Sequence, residues 1–212
     1  MPPFFSPYRH EFLRIATCVP CVEVAAPRFN ADQVVELLRT GDEQRVGLML
    51  FPELGISSYA IDDLLQQDAL LDAVQDAIAR IVPSTADLFP AYAIGAPLRI
   101  DGTLYNCAVI IHAGRILGVV PKSYLPNYRE FYERRHFASG INVCNRHTVI
   151  AGQTAPFGAD LLFQSSGTCP FTFHVELCED VWVPQPPSTA AAMAGAEVLL
   201  NLSASNITIG KA

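Results

Sequence analysis

Charge is scarce in this chain. Charged residues make up 17% of its 212 positions, half of the residues are apolar, and the mean hydropathy is +0.26. That balance argues against a disordered chain or a coiled coil and implies layers around a deeply buried core. Basic runs are missing as well. The longest is Arg134-Arg135, and the net charge is −7, which speaks against nucleic acid or an anionic membrane surface as a partner. No apolar run approaches a membrane span of roughly 20 residues. Met1 to Phe12 is rich in proline and aromatics and has no signal-peptide core. Without a secretion signal, six cysteines scattered with no framework predict free thiols in a reducing cytoplasm. Cys18 and Cys21 form a lone C-x-x-C with no second pair, a weak zinc or redox signal. His10, His112, His136 and His147 have no carboxylate or cysteine at ligand spacing, so no metal is expected. Repeats, low-complexity segments and linkers are absent, so residues 1–212 read as one domain.

Lysine is the rarest charged type. The chain holds 12 arginines but only Lys122 and Lys211. A lysine retained among arginines marks a place where a compact ammonium serves better than a planar guanidinium.

The apolar pattern alternates helices and strands early and is hairpin-rich in the middle. Strands are predicted over Phe12–Val19, Val46–Phe51, Tyr92–Ile100, Leu104–His112, Arg115–Val120, Ala159–Gln164, Phe171–Cys178 and Val198–Leu202. Asp101-Gly102 and Ala113-Gly114 read as hairpin turns. Helices are predicted from Ala31 to about Thr40, capped by Asn30 and stopped by Gly41, and over Ile61–Val82. An alanine-rich helix is expected within Pro186–Gly195 and a short one over Tyr128–Phe137, while Gly140–Gly158 reads as irregular. A mixed pair of sheets with helices on the outer faces satisfies this pattern.

Three strand ends carry chemistry. Phe51-Pro52-Glu53 puts a carboxylate just past one strand, Pro121-Lys122 an ammonium past another, and Leu177-Cys178 a thiol past a third. Side chains beyond strand ends converge in a shared crevice on rigid backbone. A thiol is mostly protonated at neutral pH, so Glu53 is the candidate base, Cys178 the nucleophile, and Lys122 with the Glu179 backbone N–H the oxyanion donors. Each has a plainer reading: Glu53 as the cap of a helix opening at Ile56, Lys122 as a solvated loop residue, Cys178 as a buried structural thiol. His174, in mid-strand, reads as a core histidine.

The runs Phe51-Pro52-Glu53-Leu54, Pro121-Lys122-Ser123-Tyr124-Leu125-Pro126-Asn127-Tyr128 and Cys178-Glu179-Asp180-Val181-Trp182 together resemble the nitrilase (carbon–nitrogen hydrolase) superfamily. The stretch Leu125 to Phe137 and the closing Asn201-Leu202-Ser203-Ala204-Ser205 look most like the glutaminase domain of glutamine-dependent NAD synthetases. The resemblance implies an α/β fold, a nitrilase-like αββα four-layer sandwich, here incomplete at the C-terminus. It implies a Glu53, Lys122, Cys178 triad, Glu133 as a supporting acid, and Tyr128, Glu179 and Ser205 as substrate contacts. It implies hydrolysis of L-glutamine to glutamate and ammonia without a cofactor. ATP and deamido-NAD would belong to a synthetase domain, whose Ser-Gly-Gly-x-Asp-type loop does not occur in the sequence. The alternatives are a free-standing amidase acting on another small amide or carbamoyl compound, or an inactive domain. Exposed sheet edges predict a homo-oligomer, and the ammonia would pass to a synthetase domain or subunit.

Overall fold

The computed structural model describes residues 4–210; Lys211 lies outside them. A short strand β1 (Ile15–Thr17) leads into helix α1 (Pro27–Glu43) and strand β2 (Leu48–Leu50). Helix α2 (Asp68–Ser84) follows, then the meander β3 (Ala91–Ile100), β4 (Thr103–His112) and β5 (Arg115–Pro121). The chain continues through β6 (Arg146–Ile150), β7 (Gln153–Phe157), β8 (Phe163–Ser165) and β9 (Phe171–Leu177), and ends in helix α3 (Pro187–Met193) and β10 (Val198–Leu202). Seven strands form one mixed sheet in the order β1-β2-β3-β4-β5-β7-β6, and three form a second in the order β10-β9-β8.

The sheets pack face to face. Leu48, Ala93, Ala108, Ile110 and Val120 of the large sheet meet Phe163, Phe173, Val175, Leu177, Leu200 and Leu202 of the small one. On the other face of the large sheet, Val34 and Leu38 of α1 and Val74, Ile78 and Ile81 of α2 cover Met49, Tyr92, Ile94, Val109 and Ile111. The opposite face of β9 presents Glu176, whose carboxylate accepts the Ser188 N–H of α3. The layers therefore run helix, sheet, sheet, helix, as expected. Each fully buried Val, Leu or Ile contributes about 1.5–3 kcal/mol. The continuous apolar strands are thus explained by burial on both faces.

Asp101-Gly102 and Ala113-Gly114 turn as expected, with both central residues of each left-handed, the turn that matches strand twist. Ala151-Gly152 does the same. The segment read as irregular therefore contains the β6–β7 hairpin, and the Ala-Gly signal was present there too.

Other boundaries moved for physical reasons. Helix α1 starts at Pro27, whose fixed φ suits a first helical position. Asn30 lies inside it, and its side chain bonds the Glu23 N–H, the Glu23 carbonyl and the Ile56 carbonyl. Gly41 does not stop this helix. A Cβ there would lie 2.2 Å from the Met49 sulfur, so the glycine permits close helix–sheet contact. The helix expected over Ile61–Val82 breaks at Gln67, which is extended between a 3-10 turn at Asp62–Gln66 and α2. Ile61 and Leu65 pack with Leu54, Leu125 and Phe137, whereas Val74, Ile78 and Ile81 pack on the sheet. No single straight helix serves both clusters. Pro83 lies within the last turn of α2, not beyond it. The helix expected over Tyr128–Phe137 reduces to a 3-10 turn at Glu133–Arg135. The strands expected over Phe12–Val19 and Ala159–Gln164 shrink to β1 and β8.

Gly95 of β3 carries the segment that bears Glu53. A Cβ at Gly95 would lie 2.4 Å from the Leu54 nitrogen and 2.5 Å from the Pro52 oxygen, both rigid backbone. Gly95→Ala is expected to cost about 1–3 kcal/mol in urea unfolding. Gly41→Ala should cost less, because the flexible Met49 tail can move aside. Equal losses would show that the backbone over Gly95 is not confined.

Candidate active site

Four strand ends meet at one end of the sandwich. β2 leads to Glu53, β5 to Lys122, β9 to Cys178 and β10 to Ala204. Parallel neighbours deliver their C-terminal ends to the same side: β2 is parallel to β3, and β9 to β10. Backbone bonds secure each end. The Lys122 N–H donates to the Asn106 carbonyl at 2.8 Å, prolonging the β4–β5 ladder, and the Lys122 carbonyl accepts from Gly140 at 2.8 Å.

Lys122 is buried, and its ammonium joins two buried carboxylates. Nζ donates to Glu53 Oε1 at 2.6 Å and to Glu133 Oε1 at 2.7 Å. Asn106 Nδ2 also donates to Glu53 Oε1, at 2.8 Å, and the Ala204 N–H donates to Glu53 Oε2 at 3.1 Å. The Tyr59 hydroxyl donates to Glu133 Oε1 at 2.7 Å. Burial alone would push the lysine pKa down, but the charges of Glu53 and Glu133 outweigh it and hold the ammonium protonated. Burial pushes the Glu133 carboxyl up, against the pull of Lys122 and with the repulsion of Glu53. Burial also raises the Tyr59 phenol, reinforced by Glu133, so Tyr59 stays a donor. Glu133 Oε2 and Asn106 Oδ1 are buried with no hydrogen-bond partner among the described residues.

Cys178 begins a 3-10 turn, Cys178–Trp182, with φ of 42°. A left-handed non-glycine residue costs of order 1–2 kcal/mol and turns its side chain out of the strand direction. The Asn201 side chain holds this turn by donating to the Cys178 carbonyl at 3.3 Å, and the Ser203 hydroxyl steadies Asn201 at 2.7 Å. Burial pushes the Cys178 thiol up to about 11, helped by Glu53 and opposed by Lys122, the Ser203 hydroxyl and the Ala204 N–H. The thiol is therefore neutral at physiological pH and needs a base to react.

Glu53, Lys122, Glu133 and Cys178 thus form one cluster, and the capping and loop readings of Glu53 and Lys122 do not hold. No helix opens at Ile56. Tyr128 and Glu179 lie beside the cluster and bond each other, the Tyr128 hydroxyl donating to Glu179 Oε2 at 2.8 Å. They help to line a cavity of about 630 Å³ that Glu53, Lys122, Glu133 and Cys178 do not line. Ser205 is exposed on the segment that follows β10. Sequence reasoning missed Tyr59, Asn106, Asn201 and Ala204. Asn106 left a trace, since a buried amide amid Tyr105, Cys107 and Ala108 needs a partner. Ala204 acts through its backbone and left none. His174 is buried, with Nδ1 against the Leu161 carbonyl at 3.0 Å. Six free cysteines are present, of which Cys18 is buried and Cys21 exposed. Among the described residues no three metal-binding side chains gather, and no helix is long and apolar enough to cross a membrane.

Lys122→Met would leave two buried carboxylates without their cation. It is expected to lower unfolding free energy by about 3–5 kcal/mol in urea titration; a loss under about 1 kcal/mol would show that the ion cluster is solvated. Glu53→Gln removes a charge that opposes the thiolate. The Cys178 thiolate absorbance should then titrate below about 11, although any hydrolytic activity that uses Glu53 falls. An unchanged or higher midpoint would mean that Glu53 does not act on the thiol.

Comparison with known proteins identifies the family. The carbon-nitrogen hydrolase family matches residues 2–212. A glutamine-dependent NAD(+) synthetase of Mycobacterium tuberculosis is 51% identical over 210 residues, covering 99% of this chain and 31% of that protein. The crystal structure of a glutamine-dependent NAD(+) synthetase from Cytophaga hutchinsonii superposes with a TM-score of 0.80 at 25% identity, over 94% of this chain and 32% of that one. An amidase from Nesterenkonia sp. shares the fold, with a TM-score of 0.66 at 20% identity over 90% of this chain and 64% of that one. The chain spans about a third of the length of the synthetases it matches. With two packed sheets, outer helices and a family match over nearly its whole length, the chain belongs to the carbon-nitrogen hydrolase family.

Proposed function

We propose that this chain hydrolyses the side-chain amide of L-glutamine to glutamate and ammonia, and that the ammonia serves NAD synthesis in a synthetase domain or subunit. The observation that carries the reading is the buried Lys122 bridging Glu53 and Glu133 beside the Cys178 turn. The 51% identity to a glutamine-dependent NAD(+) synthetase supports the choice of glutamine.

Glu53 takes the thiol proton as Cys178 attacks the amide carbon. The carbonyl oxygen gains the negative charge and is held by Lys122 Nζ and the Glu179 backbone N–H. Each such donor is worth about 3–4 kcal/mol of transition-state stabilisation. Protonated Glu53 then gives its proton to the leaving nitrogen, and ammonia departs from a thioester. Glu53 next takes a proton from water, whose oxygen attacks the thioester; the C–S bond breaks, the sulfur takes the proton back from Glu53, and glutamate leaves the free thiol behind. Glu53 Oε2 is the better placed oxygen for these transfers, because Oε1 already accepts from Lys122 and Asn106. Glu133 keeps Lys122 charged and in place, and its unpartnered Oε2 is an acceptor for the amide N–H. Tyr128, Glu179 and Ser205 take the amino-acid end of the substrate. Water and a thiol suffice for this chemistry, so no cofactor is assigned to it. ATP and deamido-NAD belong to the synthetase step. The free thiols support a cytoplasmic setting. Strand β10 is an edge of the small sheet among the described residues, and Trp182 and Met193 are exposed nearby, which supports self-association.

Cys178→Ala is expected to abolish ammonia release from glutamine, while Cys169→Ala, altering a buried thiol on the loop between β8 and β9, leaves it within about threefold. Loss of a nucleophile removes essentially the whole effect. Equal loss in both variants would overturn the assignment of Cys178, and stronger turnover of a non-amino-acid amide would overturn the choice of glutamine. Light scattering should find an oligomer; a monomer stable at high dilution would remove the self-association.

A further inference from the structure

Asp180 is a buried acid to which the proposed reaction gives no part. It lies two residues after Cys178, within the same turn, and is about 1% exposed. Its carboxylate accepts only backbone N–H groups, and they come from two different strand ends. Oδ1 accepts from Tyr124 at 2.7 Å and from Ser123 at 3.1 Å. Oδ2 accepts from Leu177 at 3.1 Å and shares the Ser123 N–H at 3.4 Å. Leu177 immediately precedes Cys178, and Ser123 immediately follows Lys122.

We propose that Asp180 is a positioning residue whose carboxylate clamps the turn bearing Cys178 to the strand end bearing Lys122, and so sets the separation of nucleophile and ammonium. The proposal rests on the hydrolytic reading of that pair. The two groups stand on different sheets. Leu177 and Val120 belong to one apolar cluster between the sheets, which resists separation but tolerates sliding, because apolar contacts are not directional. Hydrogen bonds from both sides to one short, buried side chain supply the missing direction. Only a carboxylate fits. All its neighbours are donors, so an amide in its place would turn an N–H toward an N–H. Burial pushes the Asp180 carboxyl up to about 7, against the Leu177, Tyr124 and Ser123 N–H groups and Lys122, and proton uptake would spoil the same set of bonds. Asp180 also closes its own turn by accepting the Leu177 N–H, as a residue at the third helical position often does. A cap alone would change stability and leave the chemistry intact, so the two roles separate by experiment.

The test uses Asp180→Asn in the full chain. Ammonia release from glutamine gives kcat and KM. Iodoacetamide labelling, read peptide by peptide in a mass spectrometer, gives the rate at Cys178, with the exposed Cys21 and Cys144 as references in the same molecule. An ångström of misplacement is worth about 100-fold in rate, so kcat should fall about 100-fold with KM within about threefold. Labelling of Cys178 should change by about tenfold relative to Cys21 and Cys144. A folded variant in which kcat and the labelling ratio stay within about twofold of the parent overturns the proposal. If the parent releases no ammonia from glutamine, the glutaminase reading fails alone, because the labelling comparison does not use glutamine. If the variant does not fold, amide hydrogen exchange of the unmutated chain decides. The clamp requires one common slow rate for Leu177, Ser123 and Tyr124, and a separate rate for Leu177 overturns it.

Discussion

A lysine ammonium with no access to water, held between two carboxylates, is the constraint on which this structure turns. Lys122, Glu53 and Glu133 are all buried, and burying charge costs several kcal/mol per ion unless each group is well bonded. One cation between two acids leaves an excess negative charge, and the surroundings answer it. Asn106, Tyr59 and the Ala204 N–H all donate into the cluster. Those donors come from β4, from the loop after β2 and from the segment after β10. The cluster therefore exists only when both sheets and their connecting loops are in register. It is an expensive arrangement for stability alone, and it makes sense as a preorganised set of charges around a thiol.

The thiol obeys the opposite logic. Cys178 is not given a low pKa, because burial and Glu53 keep it neutral. In the proposed mechanism such a neutral thiol releases its proton to Glu53 only as it attacks, and the same carboxylate then serves the leaving group and the water. The positive φ at Cys178, the Asn201 bond to its carbonyl and the bare Gly95 beneath the Glu53 segment all constrain where these groups sit. Left-handed backbone and close approach occur elsewhere too, as at Gly41 against Met49, but here they fall on the segments that bear Cys178 and Glu53.

Much of this was legible beforehand, for definable reasons. Strands buried on both faces announced themselves as apolar runs, and the meander by its Asp-Gly and Ala-Gly turns. The β6–β7 hairpin is hard to read because Arg146 to Phe157 is polar enough to resemble loop, although Ala151-Gly152 repeats the turn at Ala113-Gly114. The break before α2 could not be read from period alone. Ile61 and Leu65 keep helical spacing with the residues of α2, yet they pack against a different cluster. Local periodicity does not report which surface an apolar residue meets.

The sequence by itself determined the layered α/β class, the three strand ends bearing Glu53, Lys122 and Cys178, and the significance of a single retained lysine near the middle of the chain. These follow from residue type and short-range pattern, which act along the chain. Tertiary structure alone decided that Asn106, Tyr59 and the Ala204 backbone complete the cluster of Lys122 and its two acids, and that Asp180 spans two strand ends. Those contacts join residues as much as 151 positions apart. A hydrogen bond depends on distance and direction in space, and neither is written in the spacing of residues along a chain.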